Sequence, residues 1–290
     1  MVAVLLSIGS ARPACASSRL EWQDNWRRVG VTEYASTGAM FGSALAITFW
    51  VPPAAEPAWT RPLWIDRDMR AWLKLGAGSA RDTAATLSDM LVATSIAAPT
   101  LIDGVLVAGA LDENADVMHQ LSVISLQAFA LTQLLNASAK RVFARERPYM
   151  VGCREQADYS DSCDSHDRLR SYYSGHAATA ATGAGLICAH HTHLPLYGSV
   201  ADGLACGGAW ALAIAAGALR MAADRHWATD VLTGHIVGFA AGYLLPTLMY
   251  YGSFRRKSST DQVENQAAAL APRSSSTATW PRVFTLSAAF

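Results

Sequence analysis

"ALRMAADRHWATDVLTG", residues 218–234, breaks into a chain that is apolar on both sides of it. Arg220, Asp224, Arg225, His226 and Asp230 all fall in this stretch. Beside long hydrophobic segments, charges are costly unless they are paired or used. The flanking runs, about 197–219 and 231–251, are rich in alanine and glycine and too long for strands. They read as two helices joined by a short charged connection.

Four more apolar stretches lie upstream, at about 34–51, 90–111, 117–139 and 177–192. A membrane-crossing helix needs ~20 mostly apolar residues, and most of the six qualify in length. The stretch 117–139 carries His119, Gln120, Gln127, Gln133 and Asn136, and 177–192 is mostly small residues. Such helices suit a tight bundle with its polar groups turned inward. The chain therefore reads as all-α, a six-helix membrane bundle over 34–251. Between the first two spans, "WTRPLWIDRDMRAWLKLG" (Trp59–Gly76) mixes tryptophan and leucine with arginine and lysine. That composition predicts an additional amphipathic helix lying in the membrane interface.

Composition agrees. The 290 residues are 51% hydrophobic and 16% charged, whereas soluble domains carry roughly a quarter charged residues. Lys plus Arg and Asp plus Glu are equal at 23 each, which removes any general reason to expect a nucleic-acid partner. Residues 1–33 form an N-terminal lead-in whose "VAVLLSIG" and "ARPACAS" look like a short signal peptide ending at Ala16. Residues 252–290 are polar and rich in Ser, Thr and Ala, the composition of a flexible tail. Arg27 and Arg28 precede the first span, and Arg255, Arg256 and Lys257 follow the sixth. The positive-inside rule then puts both termini in the cytoplasm and the loops after spans three and five outside. A cleaved signal peptide would invert that arrangement; the basic flanks are followed here.

Three connections on that outer side hold the remaining polar groups. "KRVFARERPY" carries Lys140 and Arg147, "RSYYSGHAAT" carries Ser174, Gly175 and His176, and the opening stretch carries Arg220, His226 and Asp230. Phosphoryl transfer without a metal asks for such a set. Arginine meets a phosphate with forked, permanently charged donors, and lysine adds a point charge. If 140–147 is helical, Lys140 and Arg147 return to one face. Ser174 and Gly175 stand ahead of an apolar helix, whose free amides can bind an anion. On a helix His226 and Asp230 are neighbours; Asp230 can accept one ring proton and leave the other nitrogen nucleophilic. His176 can then protonate the departing oxygen.

This pattern resembles the phosphatidic acid phosphatase type 2 superfamily, which also includes bacterial acid phosphatases and vanadium haloperoxidases. Its signature is Lys-x6-Arg-Pro, Pro-Ser-Gly-His and Ser-Arg-x5-His-x3-Asp. The first block is complete as "KRVFARERP"; Tyr173 and Leu219 replace the usual proline and serine in the other two. The resemblance implies His226 as nucleophile, Asp230 as its orienting partner and His176 as acid. It implies Lys140, Arg147, Ser174, Gly175 and Arg220 as phosphate ligands, with no cofactor and no metal. The substrate expected is a lipid phosphate or diphosphate, met by a multi-pass plasma (inner) membrane protein whose active site faces the periplasm or exterior. Membrane lipids would be its other partners. A soluble secreted acid phosphatase, a vanadium haloperoxidase and a non-catalytic phosphate binder are the alternatives.

Other residues are expected to be structural. Cys153 and Cys163 share a polar stretch and can form a disulfide in an oxidising compartment, whereas Cys188 and Cys206 read as small packed hydrophobes. "HHTH" (His190, His191, His193) reads as a solvated loop with no carboxylate nearby, and Arg141 and Arg145 as headgroup or substrate-rim contacts. Asp224 and Arg225 pair with neighbours or a headgroup, His235 packs in the bundle, and Trp227 packs beside the site.

Overall fold

Glycines four residues apart decide how the helices meet. On the last long helix, a Cβ added at Gly234, Gly238 or Gly242 would lie 2.6, 2.3 or 2.1 Å from the backbone oxygens of Ser174, Ala178 and Thr182. No side chain fits there, so the two backbones touch, the small-residue crossing common in membrane bundles. The helix carrying those oxygens is buried without a break from Ala177 to His191. It is the axis of the molecule.

The computed structural model describes residues 19–252, apart from 157 and 161. Its helices are α1 (Val31–Trp50), α2 (Asp66–Leu73), α3 (Gly78–Leu111), α4 (Ala115–Phe143), α5 (Tyr149–Glu155), α6 (Gly175–His193), α7 (Ser199–Ala222) and α8 (Ala228–Tyr251). Among the described residues there is no strand. The central helix α6 packs against α3, α4, α7 and α8, while α1 lies on the outer side of α4. The polar residues of α4 turn inward. Thr132 shares a 2.8 Å hydrogen bond with Thr182, and Gln133 donates to Thr179 at 2.9 Å.

Six of these helices are long, and α3, α4, α7 and α8 are long and apolar enough to cross a membrane. By that measure α1 and α6 are not, since α6 is built mainly of alanine, glycine and histidine. Leu101, Leu204, Ile214 and Ile236 on the crossing helices face outward. The four apolar helices are consistent with a membrane protein.

Several sequence expectations are corrected. The amphipathic segment 59–76 is helical only over Asp66–Leu73, and Asp66 on it is fully buried. The second span begins at Gly78 rather than near residue 90, which brings Asp82 and Asp89 onto α3. His190 and His191 are buried in α6 rather than solvated in a loop, and His191 stands between Asp202 (2.6 Å) and Asp103 (3.3 Å). Helix packing supplied carboxylates that are far away in sequence. Cys188 and Cys206 are joined as a disulfide between α6 and α7, and Cys153 and Cys163 as one between α5 and the loop after it. The signal-peptide-like start and the tail from 253 onward lie outside the described residues.

Candidate functional site

The end of α4 shapes the first part of the site. The helix stops at Phe143, and Ala144 takes a left-handed conformation (φ 38°). Residues 140–147 are therefore not one helix, and Lys140 and Arg147 meet through a turn instead of a shared face. The turn drives Arg145 inward. Arg145 bridges Asp66 and Asp230 at 2.5 Å each, donates to Thr229 at 2.8 Å, and lies 3.8 Å over the Trp59 ring. It is a buried strut and not a rim contact: once the turn points it into the bundle, only buried carboxylates can balance its charge.

The loop between α7 and α8 carries the histidine. Asp224, also left-handed (φ 58°), ends α7 and accepts two 2.7 Å hydrogen bonds from Arg70 and one of 2.6 Å from the Tyr159 hydroxyl. Two residues on, His226 is buried. Its Nδ1–H donates to the Ser171 carbonyl at 2.8 Å, which leaves Nε2 with the lone pair. Asp230 Oδ2 is 3.7 Å from Nδ1 and makes no hydrogen bond to it. Instead Asp230 accepts from the Ser171 hydroxyl (2.5 Å) and the Trp227 amide (3.0 Å), so it holds the loop that holds the ring. Trp227 packs beside the site and donates to the Glu146 carbonyl.

The third part is the start of α6. Ser174 caps the helix, and its own amide donates to the Asp230 carbonyl at 3.0 Å. The α6–α8 backbone contact makes that bond possible and brings 174–176 against the His226 loop. Gly175 has no room for a side chain, since its Cβ would meet Asn136 Oδ1 at 2.8 Å and Lys140 Nζ at 3.5 Å. Lys140 therefore reaches the helix start. His176 points the other way, with Nε2 2.7 Å from Asp89 Oδ1, and Arg220 Nη1 is 3.3 Å from the same oxygen.

Electrostatics complete the description. Arg147 Nη1 lies 3.4 Å from His226 Nε2, and Arg147 also pairs with Asp167 at 2.7 Å. Burial, and then Arg147, Arg220, Lys140 and His176, hold the His226 ring well below its ordinary 6.5, so it is neutral at physiological pH. Burial pushes the Asp167 carboxyl up, but Arg147, Lys140, Arg170 and His226 outweigh it and keep Asp167 below the usual carboxylate range. Arg147, Arg220 and Lys140 thus face a neutral imidazole, with Arg170 near Lys140 and Asp167, while Asp230 is taken up by Arg145. Buried Nε atoms of Arg170 and Arg220 have no hydrogen-bond partner among the described residues. Surplus positive charge and unused donors are what an anion such as phosphate would satisfy. No group of three or more His, Cys, Asp or Glu side chains among the described residues is placed to hold a metal ion.

Of the residues singled out from the sequence, the structure places Arg147 against His226, Lys140 beside Gly175, Ser174 against Asp230, and His176 and Arg220 on Asp89, all around the start of α6. Sequence reasoning missed Asp66, Asp89, Asp167, Arg170 and Ser171. Asp89 carried a signal, an acid beside an apolar run; the others had none.

The helical bundle presents a neutral histidine within a cluster of cations. Residues 122–254 match the PAP2 superfamily model. The match contains all three motif blocks and supports a phosphatase-type enzyme. No curated protein and no solved structure matches the chain.

Proposed function

We propose that the protein is a membrane phosphatase that hydrolyses a phosphomonoester or diphosphate of a lipid through a phosphohistidine. The observation that carries this reading is the His226 Nε2 lone pair, buried beside Arg147 in a pocket of surplus positive charge. In the first step Nε2 attacks phosphorus while the bond to the leaving oxygen breaks. That oxygen keeps the electron pair and takes a proton from His176. Lys140, Arg147, Arg220 and the amide at Gly175 hold the other three oxygens, where charge is spread in the transition state. In the second step water attacks phosphorus, the P–N bond breaks, and the water's proton passes to His176. Inorganic phosphate leaves and His226 is regenerated. Asp230 acts through Ser171 and the Trp227 amide, fixing the loop rather than the ring proton.

Three features support a lipid substrate and an outward-facing site. A cavity of about 310 Å3 opens between α1 and α4, with Phe41 and Leu45 on its walls and Lys140 and Arg170 at one end. That is a slot for an acyl or isoprenyl chain below an anionic head. On α2, Asp66 and Arg70 bind the site loops, while Trp72 on the same helix and Trp64 just before it are 78% and 84% exposed, the habit of residues at a membrane–water boundary. The Cys153–Cys163 disulfide ties α5 to the loop leading to Asp167 and Ser171, which favours an oxidising compartment on that side.

The test is phosphate release from lipid phosphates, lipid diphosphates and soluble esters by wild type and His226→Ala. Wild type should prefer the lipids, and His226→Ala should lose at least about a thousandfold in kcat/KM. Equal release by both proteins would refute the nucleophile. A wild-type preference for soluble esters would favour a secreted acid phosphatase.

A further inference from the structure

Asp89 sits on the exposed face of α3, within one of the apolar helices, and its side chain is 61% exposed. Its two hydrogen-bond partners among the described residues are His176 Nε2 at 2.7 Å and Arg220 Nη1 at 3.3 Å. Both belong to the pocket. An exposed pair of this kind contributes little to folding, about 0–1 kcal/mol. The carboxylate's position therefore calls for an explanation other than stability.

The surroundings of His176 supply one. Arg220 on α7 and Lys140 on α4 face the ring, and neutral His226 lies across the pocket. Burial first, and then both cations, disfavour a protonated imidazole and bring His176 down to about 4, yet a general acid must carry its proton when substrate arrives. Asp89 is the carboxylate that opposes them. We propose that Asp89 is a positioning residue for the acid half of the reaction: it accepts the Nε2 hydrogen bond and, together with the charge of a bound phosphate, favours the imidazolium form of His176 from which the leaving group is protonated. As the P–O bond breaks, the ring's second proton passes to the leaving oxygen and His176 becomes neutral, still bonded to Asp89. In the hydrolytic step the same carboxylate favours return of a proton from the attacking water. The inference rests on the reading of His176 as general acid.

Substitution of Asp89 leaves the core untouched, so the variants Asp89→Asn and Asp89→Glu should fold. kcat/KM is measured against pH with a short-chain phosphatidic acid, whose leaving alkoxide needs a proton, and with p-nitrophenyl phosphate, whose leaving group does not. For Asp89→Asn, a loss of at least about tenfold is expected at pH 7 on the lipid, the size of one unit of acid strength. The alkaline limb of that profile should move to lower pH. On p-nitrophenyl phosphate the change should stay within about threefold, and Asp89→Glu should recover most of the lipid activity. Inorganic phosphate should inhibit Asp89→Asn at least as well as wild type, because the charge removed is negative. Equal losses on both substrates, weakened phosphate inhibition, or a lipid profile identical to wild type would each overturn the proposal. Two controls separate it from the reading beneath it. If His226→Ala abolishes both activities and His176→Gln abolishes the lipid activity while Asp89→Asn behaves as wild type, only the role of Asp89 falls. If His176→Gln leaves the lipid activity intact, the assignment of the acid falls with it.

Discussion

The two ends of α6 bury similar residues in opposite states of charge. At its start, Lys140, Arg147, Arg170 and Arg220 outnumber Asp89 and Asp167, and the Nε atoms of Arg170 and Arg220 have no partner among the described residues. At its end, His191 lies between Asp103 and Asp202, and the Tyr197 hydroxyl donates to Asp103 at 2.5 Å. Next to it His190 contacts Ser125 at 3.2 Å and Tyr251 at 2.8 Å. Buried polar residues are common to both ends, so burial alone does not mark a site. The difference is sign: the far end gathers two carboxylates around one histidine within ion-pair reach, whereas the near end gathers cations, the sign that suits an anionic ligand.

The comparison can be broken most forcefully at the far end. His191→Leu removes the partner shared by two buried carboxylates and should cost about 3–5 kcal/mol of stability, read by thermal or denaturant unfolding in detergent. The molecules that remain folded should keep kcat/KM within about threefold of wild type. A tenfold loss in the folded fraction would mean that this end, too, serves catalysis.

Arg147→Met tests the near end and should do the converse. Removing one fixed donor to the transferring phosphoryl group should lower kcat/KM by about a hundredfold or more. Inorganic phosphate should also lose most of its protection against thermal unfolding. Unchanged protection would show that the excess charge is not a phosphate site.

A smaller effect sharpens the contrast through pH. The folded state holds His226 well below 6.5, so the unfolded chain takes up this proton first as pH falls. The associated stability is fully present above pH 6.5 and is lost progressively below it. Melting temperature should therefore fall between about pH 6.5 and pH 5, and phosphate should oppose the fall by favouring the charged ring. The slope should flatten in His226→Asn; a slope that persists there would assign it to other groups.

How much of this was legible beforehand depended on the range of the interactions. The long helices could be read because their apolar runs are continuous in sequence. So could the eight pocket residues, because their chemistry and spacing are local to three short blocks. Arg145 was misread for the opposite reason: its partners, Asp66 and Asp230, are close only after Ala144 turns the chain and α2 folds back. "HHTH" was misread likewise, since Asp103 and Asp202 reach it from α3 and α7. The Cys188–Cys206 pair needed two helix faces in register, which periodicity does not report. Asp89 was passed over because the helix that carries it begins earlier than its apolar run.

By itself, then, the sequence determined the helical class, the three motif blocks and the kinds of charge available to a phosphate. Tertiary structure decided which charges are spent and which remain. Glycine contacts between α6 and α8 bring Ser174 to Asp230, and the Ser171 carbonyl, not Asp230, accepts the His226 Nδ1–H hydrogen bond. The physical reason is that a hydrogen bond or buried ion pair depends on a few tenths of an ångström between segments far apart in the chain, whereas hydrophobic period and charge content are properties of the chain alone.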